Sequence, residues 1–413
     1  MLSINLLTQL VLLITMTVTE TPTITRISTG LLILLALLTA LDAVSIDMYL
    51  PAMPAIADTF TVDAGRIQQT LAVFLAGLAI GQAIYGPLLD SYGRRMPLMV
   101  GILFFIIGSV ISALSTSPEM LTSARFVQAL GAAAGLVTPR AIVSDICGIT
   151  ESAKIYSMLM QVMMIAPVLA PIIGGLILQV SGWHTIFWLL ALFGCVALLW
   201  CKYGLPETLP AKRLVRLDVK TVIRAYGNVL THWHFMALTL AGGFILGSLF
   251  TYISASSFIF TAIFSLNPTA FSALFALNSV MLIGGGFASN ALLKRGYSEQ
   301  NLTITGIVIH LAAAGILLLV VLTGAPSLTL FALLIAIAVA ALGLVFGNLT
   351  ALTMQQAKQQ AGVASSVMGA VQYLQSSIIG FLYSKFVFGL EGLPLTMLIC
   401  GVIALAFCLK RKK

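Results

Sequence analysis

The chain has 413 residues, of which 60% are hydrophobic and only 8% charged, with a formal net charge of +8. Soluble domains carry about 25% charged residues, so a water-soluble fold is excluded and an all-α protein that crosses a bilayer many times is expected. The basic residues fall in short segments between apolar runs, which argues for membrane topology and against a nucleic-acid partner.

Residues 1–19 are uncharged but dotted with Thr, Ser, Asn and Gln, with neither the basic start nor the small-residue cleavage site of a signal peptide. The stretch 1–27 is therefore expected to be an interfacial or loosely ordered extension. Apolar runs of spanning length follow at about 28–53, 67–89, 97–116, 120–142, 154–180 and 184–203. A polar, basic segment occupies 204–232. Six more runs follow at about 234–262, 270–292, 302–322, 327–352, 363–388 and 393–409, ahead of a basic tail at 410–413. The pattern predicts twelve transmembrane helices in two six-helix bundles, 28–203 and 233–409, joined by a central loop.

Placing both termini in the cytoplasm puts eighteen of the twenty-one Lys and Arg on the inner side. Only Arg66 and Lys385 fall near the outer face, and Arg125 falls within a span. The positive-inside rule therefore predicts cytoplasmic termini. The halves also echo each other. Gly86, Asp90, Arg94 and Arg95 close the second run, and Gly286, Asn290, Lys294 and Arg295 close the eighth at the same offsets. This points to internal duplication, the plan of six-plus-six transporters, with two pseudo-symmetric bundles.

The first run, LLILLALLTALDAVSIDMYLP, holds Asp42 and Asp47, the two acidic residues that fall inside predicted spans. A carboxylate at membrane depth costs roughly 2.5–3.5 kcal/mol, so one that is kept marks a functional site by default. Arg125 enters early in the fourth run from the outer face, and Asp47 lies towards the outer end of the first. Their depths match, so an Asp47–Arg125 pair is expected, since a partner left alone would be costly. Asp42 lies about 140° around the helix from Asp47. It is a candidate second titrating site or contact for a cationic substrate.

In GPLLDSYGRR (86–95), Gly86 allows close helix approach and Gly93 permits a tight turn. Asp90 sits at a helix C-terminus, where the dipole disfavours it, so it should seek Arg94 or the helix start near Gly362. In APVLAPIIGG (166–175), Pro167 and Pro171 bend one helix face and Gly174 and Gly175 allow tight packing.

The loop at 86–95 resembles the signature of the major facilitator superfamily. SIDMYLPAMPAI (45–56), ARFVQALGAAAG (124–135) and APVLAPIIGG (166–175) are similar to its drug/proton antiporters of the Bcr/CflA type, bicyclomycin- and chloramphenicol-resistance-like exporters. Ser91 stands where that family usually has Arg. The resemblance, over about 28–413, implies the major facilitator fold, in a bacterial inner membrane. It also implies proton-coupled efflux of small drug-like molecules by alternating access. It assigns proton coupling to Asp47 and Arg125 with Asp42, and a cytoplasmic gate to Gly86, Asp90, Gly93, Arg94 and Arg95. The antiporter motif, Ala166, Pro167, Ala170, Pro171, Gly174 and Gly175, would be a bent, close-packed seal. Polar and aromatic residues within spans, Tyr49, Gln128, Asn278, Asn348, Gln372 and Tyr373, are candidates for the substrate cavity. A metabolite transporter on the same fold is the alternative; a non-transporting receptor or scaffold is a more distant one.

The expected partners are a small drug-like molecule, protons and the bilayer, with the chain as a monomer. Cys147, Cys195, Cys201, Cys400 and Cys408 show neither ligand spacing nor a disulfide framework. The four histidines make no metal set and no phosphate-cradling loop is present. No metal, cofactor or enzyme activity is expected.

Overall fold

The structure, a computed structural model, describes residues 28–210, 214, 217–324, 326–357, 361–386 and 389–409. The extension at 1–27, the tail at 410–413 and Lys212, Arg213, Arg216 and Lys358 lie outside the described residues.

The first span is broken. It consists of α1 (Thr29–Thr39), α2 (Leu41–Asp47), one 3-10 turn (Leu50–Ala52) and α3 (Met53–Phe60), with a 41° bend after α1. Thr39 Oγ1 donates to the Leu35 carbonyl at 2.7 Å, a back-bond that favours bending. Pro51 and Pro54 supply no N–H, so the ladder cannot run unbroken past Asp47. The first half continues with α4 (Ala64–Tyr92), α5 (Arg95–Ala113), α6 (Pro118–Ile146), α7 (Ile149–Ser181) and α8 (Trp183–Gly204). A short helix, α9 (Val219–Leu230), lies in the connection. The second half holds α10 (Trp233–Phe258, prolonged by a π turn Ile259–Ile263), α11 (Pro268–Lys294), α12 (Glu299–Thr323), α13 (Leu328–Met354), α14 (Ala361–Lys385) and α15 (Gly392–Leu409).

Ten of these helices are long and apolar enough to cross a membrane, and the broken first span makes eleven. The expected twelfth is α14. It has spanning length at 25 residues, but Gln372, Gln375 and a run of serines make it more polar than the rest. Helix starts follow local chemistry. Ser117, Asn267, Ser298 and Ser327 each accept from the N–H three residues on, and Pro118 and Pro268 occupy first-turn positions.

Small residues set the packing within each half. A Cβ at Gly131 of α6 would lie 2.3 Å from the Phe105 nitrogen of α5, so those backbones meet directly. The halves meet along two seams, α4 with α14 and α7 with α11. Gly86 faces Ser366 across the first seam and Gly286 faces Met164 across the second. The repeated glycine thus sits at equivalent places in the two halves. Large apolar side chains, among them Leu103, Leu192, Phe287 and Leu319, are exposed on the flanks, the surface a bilayer would cover.

The end of the molecule bearing Arg94, Arg95, Lys202, Lys294 and Arg295 is its basic face. At the opposite face the halves are closed on each other. Ser257 Oγ donates to the Leu50 carbonyl at 2.7 Å, Gln179 meets Thr269, and Gly65 lies against the Ser384 carbonyl. On the basic side they part around a cavity of about 890 Å³.

Candidate functional site

Asp42 and Asp47 are both buried, each 4% exposed. Their directions follow from helix geometry. Ser45 and Tyr49, four apart, share a face that is turned towards α6. Asp47, two residues from each, lies about 200° round and is turned away from it. Consequently Arg125 does not pair with Asp47, against the sequence expectation. Arg125 Nη1 donates instead to the Ser45 carbonyl at 3.1 Å and to Gln128 Oε1 at 2.6 Å. Its guanidinium carbon lies 4.1 Å from the Phe74 ring centre and 4.8 Å from that of Tyr49. The buried cation is held by dipoles and aromatic faces, and its Nε and Nη2 lack hydrogen-bond partners.

Asp47 lies three residues before Leu50, whose carbonyl meets Ser257 Oγ of α10 at 2.7 Å. On the same helix, the Tyr252 hydroxyl accepts from Asn278 Nδ2 of α11 at 2.7 Å. Among the described residues no cation stands within ion-pair distance of Asp47. Asp42 lies in reach of Asp47, of Arg140 on α6 and of Tyr373 on α14, and its Oδ1 has no partner. The two carboxylates thus form one chain of charge along the first span.

The 890 Å³ cavity lies between α4, α6, α9 and α14, with Gln82, Arg140, Ser144, Thr221, Tyr226 and Ser366 among its lining. Tyr49, Gln128, Asn278, Asn348, Gln372 and Tyr373, the sequence candidates for a substrate cavity, are not among the residues that line this one. Tyr49 is buried with its hydroxyl on Thr70 at 2.8 Å. Gln128 bridges Arg125 and Ser109, and Asn348 binds Ser289 and the Leu344 carbonyl. Gln372 packs on Gly242, Tyr373 against Phe250, and Asn278 holds Tyr252. Tyr49, Gln128 and Asn348 thus spend their polar groups on partners inside the helix bundle. Arg140, which the sequence reading had used only for topology, is the exposed cation there.

The gate residues come together at the basic face. Arg94 Nη1 donates to Asp90 at 2.8 Å and its Nε to Asp145 of α6 at 2.7 Å. Of the two partners weighed for Asp90, Arg94 is the one that it meets. Gly93 has φ +82° and faces the Glu207 carboxylate, which a Cβ would approach to 2.5 Å. Glu207 accepts from the backbone N–H of Arg94 and Arg95 at 2.9 and 3.1 Å, and Arg95 reaches the Lys202 carbonyl. One carboxylate after α8 therefore caps the start of α5. Asp145 and Glu207 were missed in the sequence. The signal available was their position at span ends, beside a motif with surplus cations.

In α7, Ala166 and Ala170 are buried. A Cβ at Gly174 would lie 2.1 Å from the Met48 carbonyl oxygen, and one at Gly175 2.6 Å from Ser272 Oγ of α11. The helix is wedged between the first span and the other half. Pro171 has no N–H to give to the Pro167 carbonyl four residues back. Ser279 Oγ of α11 approaches that carbonyl at 3.3 Å while also facing its own Phe275 carbonyl at 3.0 Å. Pro54 and Leu50 repeat the arrangement, with Ser257 as donor.

The sequence pattern of the Major Facilitator Superfamily matches residues 35–381. The chain is 36% identical over 352 residues to the uncharacterized MFS-type transporter YdgK of Bacillus subtilis (strain 168), covering 85% of this chain and 87% of that protein. It is 28% identical over 353 residues to the bicyclomycin resistance protein homolog of Haemophilus influenzae, covering 85% and 88%. In fold it superposes on the xylose transporter XylE from E. coli in a partially occluded inward-open conformation. The TM-score there is 0.73 at 14% identity, over 93% of this chain and 97% of the other.

Proposed function

Because this chain belongs to the Major Facilitator Superfamily and is a multi-pass membrane transporter, we propose that it exports small amphipathic, drug-like molecules in exchange for protons. The observation that carries the reading is Asp47, a buried carboxylate with no cation in ion-pair distance among the described residues, close in the chain to the Leu50–Ser257 contact between the halves. Protonated, Asp47 fits this buried position. Ionised, it needs water or a positive group, because an unpaired buried charge is strongly penalised. The protonation state therefore sets how well the halves fit together around it. A basic or strongly donating group on the substrate competes with the proton for the same carboxylate. Asp42, between Asp47 and the Arg140 side of the cavity, is the natural relay towards the basic face. Arg125 acts indirectly, by fixing Ser45 and Tyr49 and hence the rotation of the first span.

The charge bias of the loops favours a cytoplasmic basic face, so the cavity loads from the cytoplasm in the present conformation. One chain encloses both the acids and the cavity, so the working unit is a monomer. The relative named for bicyclomycin resistance supports a drug-like substrate class. Each proton entering down 100 mV supplies roughly 2.3 kcal/mol from charge movement alone. In inverted vesicles, Asp47→Asn is expected to abolish drug-triggered proton release. Undiminished exchange in that variant rules the assignment out.

A further inference from the structure

α9 has a packed arc and, next to it, an open one. Thr221, Val222 and Ala225 face the cavity, and Tyr226 Oη donates to the Ala83 carbonyl of α4 at 2.9 Å. Val229 packs with Phe235, Ala364 and Val367 of the second half. This small helix therefore touches both halves at the cavity mouth. The arc that begins beside Tyr226 is exposed. Val219, Ile223 and Leu230 are 61%, 65% and 46% exposed and fall within about 40° of one another around the axis. Lys220 and Arg224, both exposed, stand beside that stripe at about 100° and 140° from Val219.

The depth of α9 is fixed by its neighbour. Only Thr231 and His232 separate it from α10, which begins at Trp233, itself half exposed. Tryptophan at a span end marks the headgroup level, so α9 lies at that level too. A narrow apolar stripe flanked by cations, held at headgroup depth, is the chemistry of a helix lying in a charged lipid surface.

We propose that this face of α9 binds anionic phospholipid, with Lys220 and Arg224 on the headgroup phosphates and Val219, Ile223 and Leu230 at the acyl boundary. Lipid bound there holds the helix that Tyr226 and Val229 clasp to the two halves, so anionic lipid steadies the cavity mouth. The proposal is independent of what is transported.

The test uses the full chain with Ile223→Cys spin-labelled, Cys147 and Cys195 changed to serine, and the three buried cysteines kept. It is reconstituted in phosphatidylcholine vesicles with or without phosphatidylglycerol. In the mixed vesicles the label is expected to respond to lipid-soluble oxygen in preference to a water-soluble nickel chelate, and less so without phosphatidylglycerol. Each basic residue near an anionic surface strengthens association about fivefold. Lys220→Gln with Arg224→Gln should accordingly lower phosphatidylglycerol retention, read by native mass spectrometry, roughly twentyfold. A label equally water-exposed in both vesicles overturns the proposal, as does one shielded by a co-purifying protein. Unchanged lipid retention in the double variant overturns it as well.

Discussion

Glu207 shows what a single carboxylate does for the basic face. Partial burial tends to raise its pKa. Backbone N–H groups of Arg94, Leu209, Arg95 and Thr208 outweigh that and hold it below its ordinary value of 4.5. A depressed carboxylate contributes stability above the unfolded value and loses it as pH falls through the folded one. Thermal unfolding of the purified protein should therefore show a loss on acidification below about pH 4.5. Glu207→Gln should flatten that part of the profile and cost on the order of 1 kcal/mol at neutral pH, after allowance for solvent screening. An identical acid profile in the variant refutes the clamp. Arg125 teaches the complementary lesson. Its depth was legible from its place in the fourth run, but its partner was not. A rotation of about 200° between Ser45 and Asp47 decides which of them faces α6, and the rotation of a broken helix is set by what packs on it.

At the level of elements, the first span and α7 share one device. A proline leaves a carbonyl without its helical donor, and a serine of the other half approaches it. The Leu50–Ser257 contact is the cleaner case, since that hydroxyl is directed to no other acceptor. The Leu50 carbonyl also accepts from Met53 N–H in the 3-10 turn, so Ser257→Ala should cost one hydrogen bond between the halves, about 0.5–1.5 kcal/mol, and shift the population away from closure at the opposite face. The readout is maleimide labelling of Ser377→Cys, buried against Ala72 in the α4–α14 seam, which should rise by about two- to tenfold. Pro54→Ala restores an N–H four residues after Leu50. The double variant Pro54→Ala with Ser257→Ala should then label less than Ser257→Ala alone, a non-additivity that marks coupling. Strict additivity would mean that proline and serine act separately.

For the whole molecule, alternating access requires the opposite face to open when the basic face closes. Gln179 of α7 and Thr269 of α11 touch across that closed face. A Gln179→Cys/Thr269→Cys pair, oxidised, should keep substrate binding from the basic side but stop net transport, with recovery on reduction. Transport that continues in the oxidised form would show that the α7–α11 seam does not move. Gly174 closely approaches the Met48 carbonyl and Gly175 approaches Ser272, so α7 packs tightly on both sides of this seam. Neither glycine has room for a side chain.

The helical multi-pass architecture, the two-half plan and the close-packed glycine of the 86–95 loop were readable from apolar run lengths and repeated offsets, because these depend on local composition and on the bilayer's thickness. The polar α14 was readable as well, by its place in the pattern. Tertiary structure alone decided which groups meet. It left Asp47 with no ion-pair partner among the described residues and gave Arg125 to Ser45 and Gln128. It used Tyr49, Gln128 and Asn348 as internal partners, and made Arg140 the cavity's cation. Burial makes a polar group take the nearest available partner, and which partner is nearest depends on helix rotation and on contacts more than a hundred residues apart in the chain.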